Sequence, residues 1–244
     1  MAMSRTSDDD ETIRRRSAWL IPFAVFFVTF LLSAMILLLY VAPSVPSLFE
    51  EQVAPTSRTD IIALRVRGKP FYIPANYLEY ERTRQGGERR EVALFAILPD
   101  FAGWSNWEAQ SFAGDRPTSP IVEMRIHADD QNLSETDYLR RVYLGYVADK
   151  RGEPGPYGLT QFVFRGDSGY RDTDLYVGKT DQGIVVMRCE RLGPDVTSPN
   201  CRRDTAIGRG VSLFYSFKRT RLSHWQDIAE GVVKLTASFA KAPK

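Results

Sequence analysis

Residues 17–41 run for twenty-five positions without a single charge, and that stretch constrains the chain more than any other feature. A helix needs roughly 20 apolar residues to cross about 30 Å of hydrocarbon, so the stretch reads as a transmembrane signal anchor. Arg5, Arg14, Arg15 and Arg16 precede it, whereas Arg58 alone lies in a comparable stretch afterwards. Orientation follows Lys and Arg near the span, and Asp8, Asp9, Asp10 and Glu11 do not cancel that bias. Residues 1–16 are therefore expected to form a short cytoplasmic tail. Trp19 and Tyr40 suit the two headgroup interfaces, and Pro22 falls in the first turn, where its missing N–H costs little. A cleaved secretory signal is the competing reading. Its apolar core is usually about 7 to 15 residues, and bulky Tyr40 stands where a small residue is expected. Arg15-Arg16 also fits a twin-arginine signal, although topology alone supplies an arginine pair before a span.

Residues 42–58 read as a juxtamembrane linker, because Pro43, Pro46 and Pro55 are interleaved with Ser44, Ser47, Thr56 and Ser57. Residues 59–244 then suit one extracytoplasmic domain. Beyond the span, 28 basic residues face 26 acidic ones. A nucleic-acid partner normally requires a basic domain or stripe, so that class is set aside. Cys189 and Cys201 are the only cysteines. An oxidising compartment lets them pair, and Gly193, Pro194 and Pro199 between them give a connection that can loop. Zinc needs three or four protein ligands, and His127 and His224 have no ligand-like spacing to the cysteines, so neither metal nor cofactor is expected.

Alternation of apolar and polar residues marks the strands. Ile62, Leu64 and Val66 alternate with Ala63, Arg65 and Arg67, and Gly68-Lys69 offers a turn into Phe71, Tyr72 and Ile73. Further strands are expected over 92–98, 121–127, 159–164, 175–178, 184–189 and 211–217, with Asp181-Gln182-Gly183 as a second turn. Two helices interrupt the pattern. Ser134 and Asp137 form a capping-box variant ahead of Tyr138, Leu139, Val142, Tyr143, Tyr146 and Val147 on one face. Ser223 and Gln226 match the same box ahead of a stripe through Trp225, Ile228, Val232, Leu235 and Phe239. Runs of strands separated by few helices imply an α+β domain with a mostly antiparallel sheet and about two packed helices.

Gly166-Asp167-Ser168-Gly169 resembles the nucleophile segment of chymotrypsin-like serine proteases, and His127, Asp129 or Asp130, and Ser168 follow that family's His-Asp-Ser order. The resemblance covers four residues. Tyr170 stands where the family has its next glycine, and the spacing from His127 to Ser168 cannot build two barrels. Asp, Ser and Gly are ordinary turn formers, so the segment is read as a loop. His224 beside Trp225 is read as a surface or boundary histidine, since no carboxylate at a defined spacing nominates an acid or base. Arg82, Arg84, Arg89 and Arg90 around Gly86-Gly87 alternate with Glu81, Glu88 and Glu91, which reads as a solvated hairpin tip. Asn132-Leu133-Ser134 is a glycosylation sequon.

Phe101, Trp104, Trp107 and Phe112 gather with Gly103 and Gly114 in a segment of weak periodicity. Aromatic side chains dominate interface hot spots, so these four are the candidate partner-binding residues. Core packing beneath a long loop is the competing explanation. The reading is thus a bitopic protein of the bacterial inner membrane with a periplasmic domain. It is expected to act as a binding, assembly or inhibitory accessory factor with a protein partner in the envelope. No catalytic motif is identifiable, and the alternative is a membrane-tethered envelope hydrolase whose active site is assembled from distant residues. Alkaline phosphatase fused after Lys244, which works only when exported, should be active in intact cells. Activity from a cytoplasm-dependent reporter at the same position would reverse this topology.

Overall fold

The computed structural model describes residues 19–41, 53–112, 114–131 and 133–242. The arginine-rich tail, the first part of the linker and sequon residue Asn132 lie outside the described residues, as does the side chain of Tyr40. The chain divides into two compact units, Met1–Glu51 and Gln52–Lys244. In the first, α1 (Leu20–Val41) is a single helix. Its segment Ile21–Leu39 is long and apolar enough to cross a membrane. Thr29, a polar residue within it, donates its hydroxyl to the carbonyl of Val25 at 2.9 Å, so the helix meets that hydrogen-bonding need internally.

The second unit is α+β. β1 (Ile61–Val66) and β2 (Lys69–Pro74) form the opening hairpin. Its two-residue turn is Arg67-Gly68 rather than the expected Gly68-Lys69. Both turn residues have positive φ, 49° and 75°, the geometry that matches the twist of the flanking strands. The expected hairpin tip near Gly86 is replaced by a 3₁₀ turn, Arg82–Gln85, and a short strand β3 (Gly87–Arg89) that pairs parallel to β1. Arg84 accounts for the change: its guanidinium donates to the carbonyls of Ala54, Ala75 and Leu78, tying the turn to the domain.

Eight further strands make the main sheet: β4 (Glu91–Ile97), β5 (Ile121–Ala128), β6 (Glu153–Pro154), β7 (Thr160–Val163), β8 (Thr173–Thr180), β9 (Gly183–Glu190), β10 (Asn200–Gly208) and β11 (Val211–Lys218). Their order is β4-β5-β11-β10-β9-β8-β7-β6, antiparallel throughout. The chain builds β4 and β5, crosses to the far edge, and returns strand by strand until β11 closes against β5. The exposed side of β4 is covered by residues 78–80, where the N–H of Glu79 bonds the carbonyl of Ala93 at 3.2 Å. That cover removes a free edge.

The crossover carries α2 (Glu135–Arg141), and α3 (Trp225–Phe239) ends the domain. Ser134 caps α2 as expected, its Oγ accepting the N–H of Asp137 at 3.1 Å while donating to the Asp137 carboxylate at 2.7 Å. The helix stops at Arg141, short of the expected Val147, because Val147 is drawn into a bridge with Phe164. The capping box expected at Ser223 does not form. Residues Arg219–His224 are a 3₁₀ turn leading out of β11, and His224 occupies the cap position without a side-chain bond.

Period-2 alternation divides the sheet between two cores. On the inner face, Leu94, Met124, Leu213, Tyr215 and Met187 pack with Leu64, Phe71 and Ile73 of the hairpin and with Trp225, Ile228 and Val232 of α3. On the outer face, α2 and the turn after it cover only the β7-β8-β9 end, where Phe162, Phe164, Leu175 and Val186 form a second core with Leu139 and Tyr143. Among the described residues no helix covers the outer face of β4, β5 and β11, where Glu91, Glu123 and Arg125 are exposed while Ala93, Phe95, Ser212 and Ser216 are buried.

Cys189 and Cys201 are disulfide-bonded. They join β9 to β10 at one of only two positions where these strands are in register, the other being Arg188 opposite Arg202. Beyond it the strands separate, and Glu135 of α2 enters the gap. One carboxylate oxygen of Glu135 accepts the N–H of Val186 at 2.9 Å, and the two oxygens take a fork from Arg203 at 2.9 and 2.6 Å.

The inner face is closed tightly at Gly178, where an added Cβ would fall 2.3 Å from the Trp225 ring. That indole is itself fixed by its N–H to the carbonyl of Tyr157 at 3.0 Å. Gly178→Ala should therefore lower unfolding stability by about 1–3 kcal/mol through overpacking. Equilibrium denaturation measures it, and an unchanged midpoint would show that α3 can shift.

Candidate partner-binding face

The half of the outer face that no helix covers mixes charged and hydroxyl side chains with Ala93, Phe95, Phe214 and Ala206. Glu91 and Ala93 on β4 alternate with Val92 and Leu94, and Glu123, Arg125 and His127 on β5 alternate with Val122, Met124 and Ile126. Ser212, Phe214 and Ser216 of β11 and Arg202 and Asp204 of β10 complete the surface. Charges meet their opposites across the strands. Arg125 pairs with Glu91 at 3.0 Å and lies over the Phe214 ring at 5.9 Å, while Ser216 donates to Glu123 at 3.1 Å. Glu79 stands beside this group, and burial raises its pKa, with the charge of Glu123 adding to the shift.

At one end of the face lies the connection 98–120 between β4 and β5, which holds the four aromatic residues singled out from the sequence. They are placed very differently. Phe101 lies against α3, where a Cβ at Gly231 would fall 2.2 Å from its ring, and its carbonyl accepts the Tyr77 hydroxyl at 3.0 Å. Trp104 is half-buried, its N–H donating to the carbonyl of Asn76 at 2.8 Å. Phe112 is also half-buried and packs on Phe95 with ring centroids 4.8 Å apart. Trp107, in a 3₁₀ turn (Asn106–Glu108), is 95% exposed. The far side of the loop is fixed by Lys218 and Ser198, both bonded to Asp115, and the Lys218 bond holds the Asp115 carboxylate below its ordinary pKa. A large apolar side chain thus projects from a loop that is tied down on both sides.

At the other end, beside α2, a cavity of about 390 Å³ opens among β5, β9, β10, β11 and residues 129–143. Its floor includes Glu135 and Arg203, whose side chains are only 9% and 8% exposed. The same pair borders a second cavity of about 400 Å³ between the hairpin and α3, so it closes the sheet between the two. Burial pushes the Tyr215 hydroxyl up to about 12, against the opposing pull of Arg203, which bonds it at 3.2 Å. Burial likewise pushes Tyr143 up to about 12. His127 is raised chiefly by its bond to Asp204 at 3.4 Å, with burial opposing.

His127, Asp129 and Asp130 line this cavity, but Ser168 does not. Ser168 is 3% exposed in the turn between β7 and β8, with its Oγ accepting the N–H of Tyr170 at 3.3 Å. The serine-protease resemblance therefore has no geometric counterpart. His224 is exposed beside Asp227 at 3.8 Å. No group of three or more His, Cys, Asp or Glu able to hold a metal occurs among the described residues.

No family model matches this sequence, and no curated protein matches it. Among solved structures, the chain is similar to Smlt3025, an immunity protein of the Stenotrophomonas maltophilia type IV secretion system. The match has a TM-score of 0.52 and 18% identity, and it covers 74% of this chain and 93% of that one. At this identity the likeness is one of fold. The class so defined is an α+β domain of the architecture found in that immunity protein, here following an apolar helix.

The raised pKa of His127 has a direction that can be checked. A histidine raised by folding stabilises most below its unfolded value, near about 6.5, and the contribution is lost as pH rises through the folded value. The melting temperature of the native chain relative to a His127→Gln variant should be greatest below about pH 6.5 and fall as pH rises through the raised folded value. A difference that does not vary with pH would remove the His127–Asp204 contact from the stability balance.

Proposed function

We propose that this protein is a membrane-anchored inhibitor of the immunity type, held in the bacterial inner membrane with its domain in the periplasm, where it binds and blocks a protein partner. The observation that carries this reading is the fold shared with Smlt3025 over 93% of that protein's length. Three features support it. The apolar helix α1 is long enough to serve as an anchor, the Cys189–Cys201 disulfide suits an oxidising compartment, and the outer face presents cross-strand charge pairs while the loop joining β4 to β5 exposes Trp107. Such a surface favours protein recognition, in which a central aromatic anchor is surrounded by polar groups that exclude water.

In this reading Trp107 is the contact residue of the aromatic segment, while Phe101, Trp104 and Phe112 hold the loop that presents it. The test is affinity capture from the native cell with a tag after Lys244, followed by a binding titration with the captured partner. Trp107→Ala should weaken the complex by about 2 kcal/mol, roughly 30-fold. Its unfolding stability should change by no more than about 0.5 kcal/mol, as for an exposed side chain. Cells lacking the protein should also be inhibited by secretion-competent neighbours and be rescued by the native gene. Growth indifferent to the deletion, with no partner captured, would remove the inhibitory reading.

A further inference from the structure

The cavity beside α2 carries charges of both signs, and nearly all are matched locally. Asp130 pairs with Arg67, Asp204 with His127, Arg202 with Glu190 and Glu135 with Arg203. Asp129 accepts the Ser212 hydroxyl at 2.9 Å and the N–H of Gln131 at 2.8 Å. Arg188 is the exception. It lines the same cavity, and its guanidinium is held over the rings of Tyr143 and Tyr170, 5.6 and 5.2 Å from their centroids. Among the described residues it has no carboxylate partner and donates no hydrogen bond within the protein.

Stacking on ring faces positions a guanidinium without using its N–H donors. Those donors form a planar fork that matches the two oxygens of a carboxylate. The surrounding wall decides between anions. Asp129, Asp130, Asp204 and Glu135 line the cavity together with His127, Arg202 and Arg203, so Arg188 is left to match one negative charge, and a singly charged carboxylate suits it better than a doubly charged phosphate. Leu133, Tyr138 and Phe214 supply apolar surface in the same wall for the body that bears the charge.

We propose that this cavity is a carboxylate-binding site, with the fork of Arg188 taking the two oxygens and the tyrosines fixing its position. The assignment rests on the cavity alone and does not require the inhibitory reading above. Two sources share this chemistry: a free organic acid, or a carboxylate on a protein segment inserted from a partner.

The test uses the full chain in nanodiscs and saturation-transfer NMR with benzoate as the probe. Benzoate should be saturated and neutral benzamide should be about ten-fold weaker, as expected for loss of a charge-assisted bond. Arg188→Met should weaken benzoate by at least about ten-fold. Arg188→Lys keeps the charge but loses the fork, so it should also weaken binding, and thermal melting of both variants reports whether the domain remains folded. Displacement of benzoate by an acetylated, amidated peptide bearing one glutamate, or by one with a free carboxyl terminus, assigns the site to a protein segment. Displacement by acetate alone assigns it to a free acid. Equal saturation by benzoate and benzamide would overturn the proposal, as would full binding in both Arg188 variants or displacement by inorganic phosphate at lower concentration than acetate.

Discussion

Eight strands become one sheet through a short join between β9 and β10, and the architecture depends on how that join is held. Only two residue pairs connect the strands, one of them the Cys189–Cys201 disulfide. Where the ladder ends, Glu135 replaces a missing strand partner by accepting the N–H of Val186, and Arg203 neutralises the carboxylate so introduced. A buried ion pair of this kind adds little stability over an apolar filling, because both charges lose water. Its value here is in position. It fixes α2 to the sheet, and α2 in turn makes one wall of the outer cavity and covers the second core.

Strands whose inward positions are apolar were legible as period-2 alternation, and the domain class followed from their number and from the few helices between them. β10 was not legible. Its sequence, Asn200–Gly208, places Arg203 inward, and only the distant Glu135 makes that tolerable. Helix starts and stops were misplaced for related reasons. The Ser134 cap is local and could be read, whereas the end of α2 is set by the pairing of Val147 with Phe164, and the start of α3 by a 3₁₀ exit from β11.

The candidate surface was legible in one part only. Clustering of four aromatic residues singled out the loop between β4 and β5, but clustering does not distinguish the residue that projects from those that hold the loop down. Gly231, more than a hundred positions later, receives the Phe101 ring, and no local pattern announces it. The cavity was hidden more completely. Its walls come from β5, β9, β10, β11 and α2, and Arg188 alternates with buried neighbours as any outer-face strand residue would. Two tyrosines at 143 and 170 that converge on one arginine leave no trace at fixed spacing.

The fixed loop between β4 and β5 separates two demands that many surfaces must meet with the same residues. Its anchors, Phe101, Trp104, Phe112 and Asp115, are committed to α3, Asn76, Phe95 and Lys218. Trp107 at its tip projects into solvent, 95% exposed. Sequence drift at the tip therefore rewrites what the surface presents without passing through a chain that fails to fold. Under the recognition role proposed for Trp107, a lineage facing a changing counterpart has in this loop a place where contacts change one residue at a time on an unaltered scaffold.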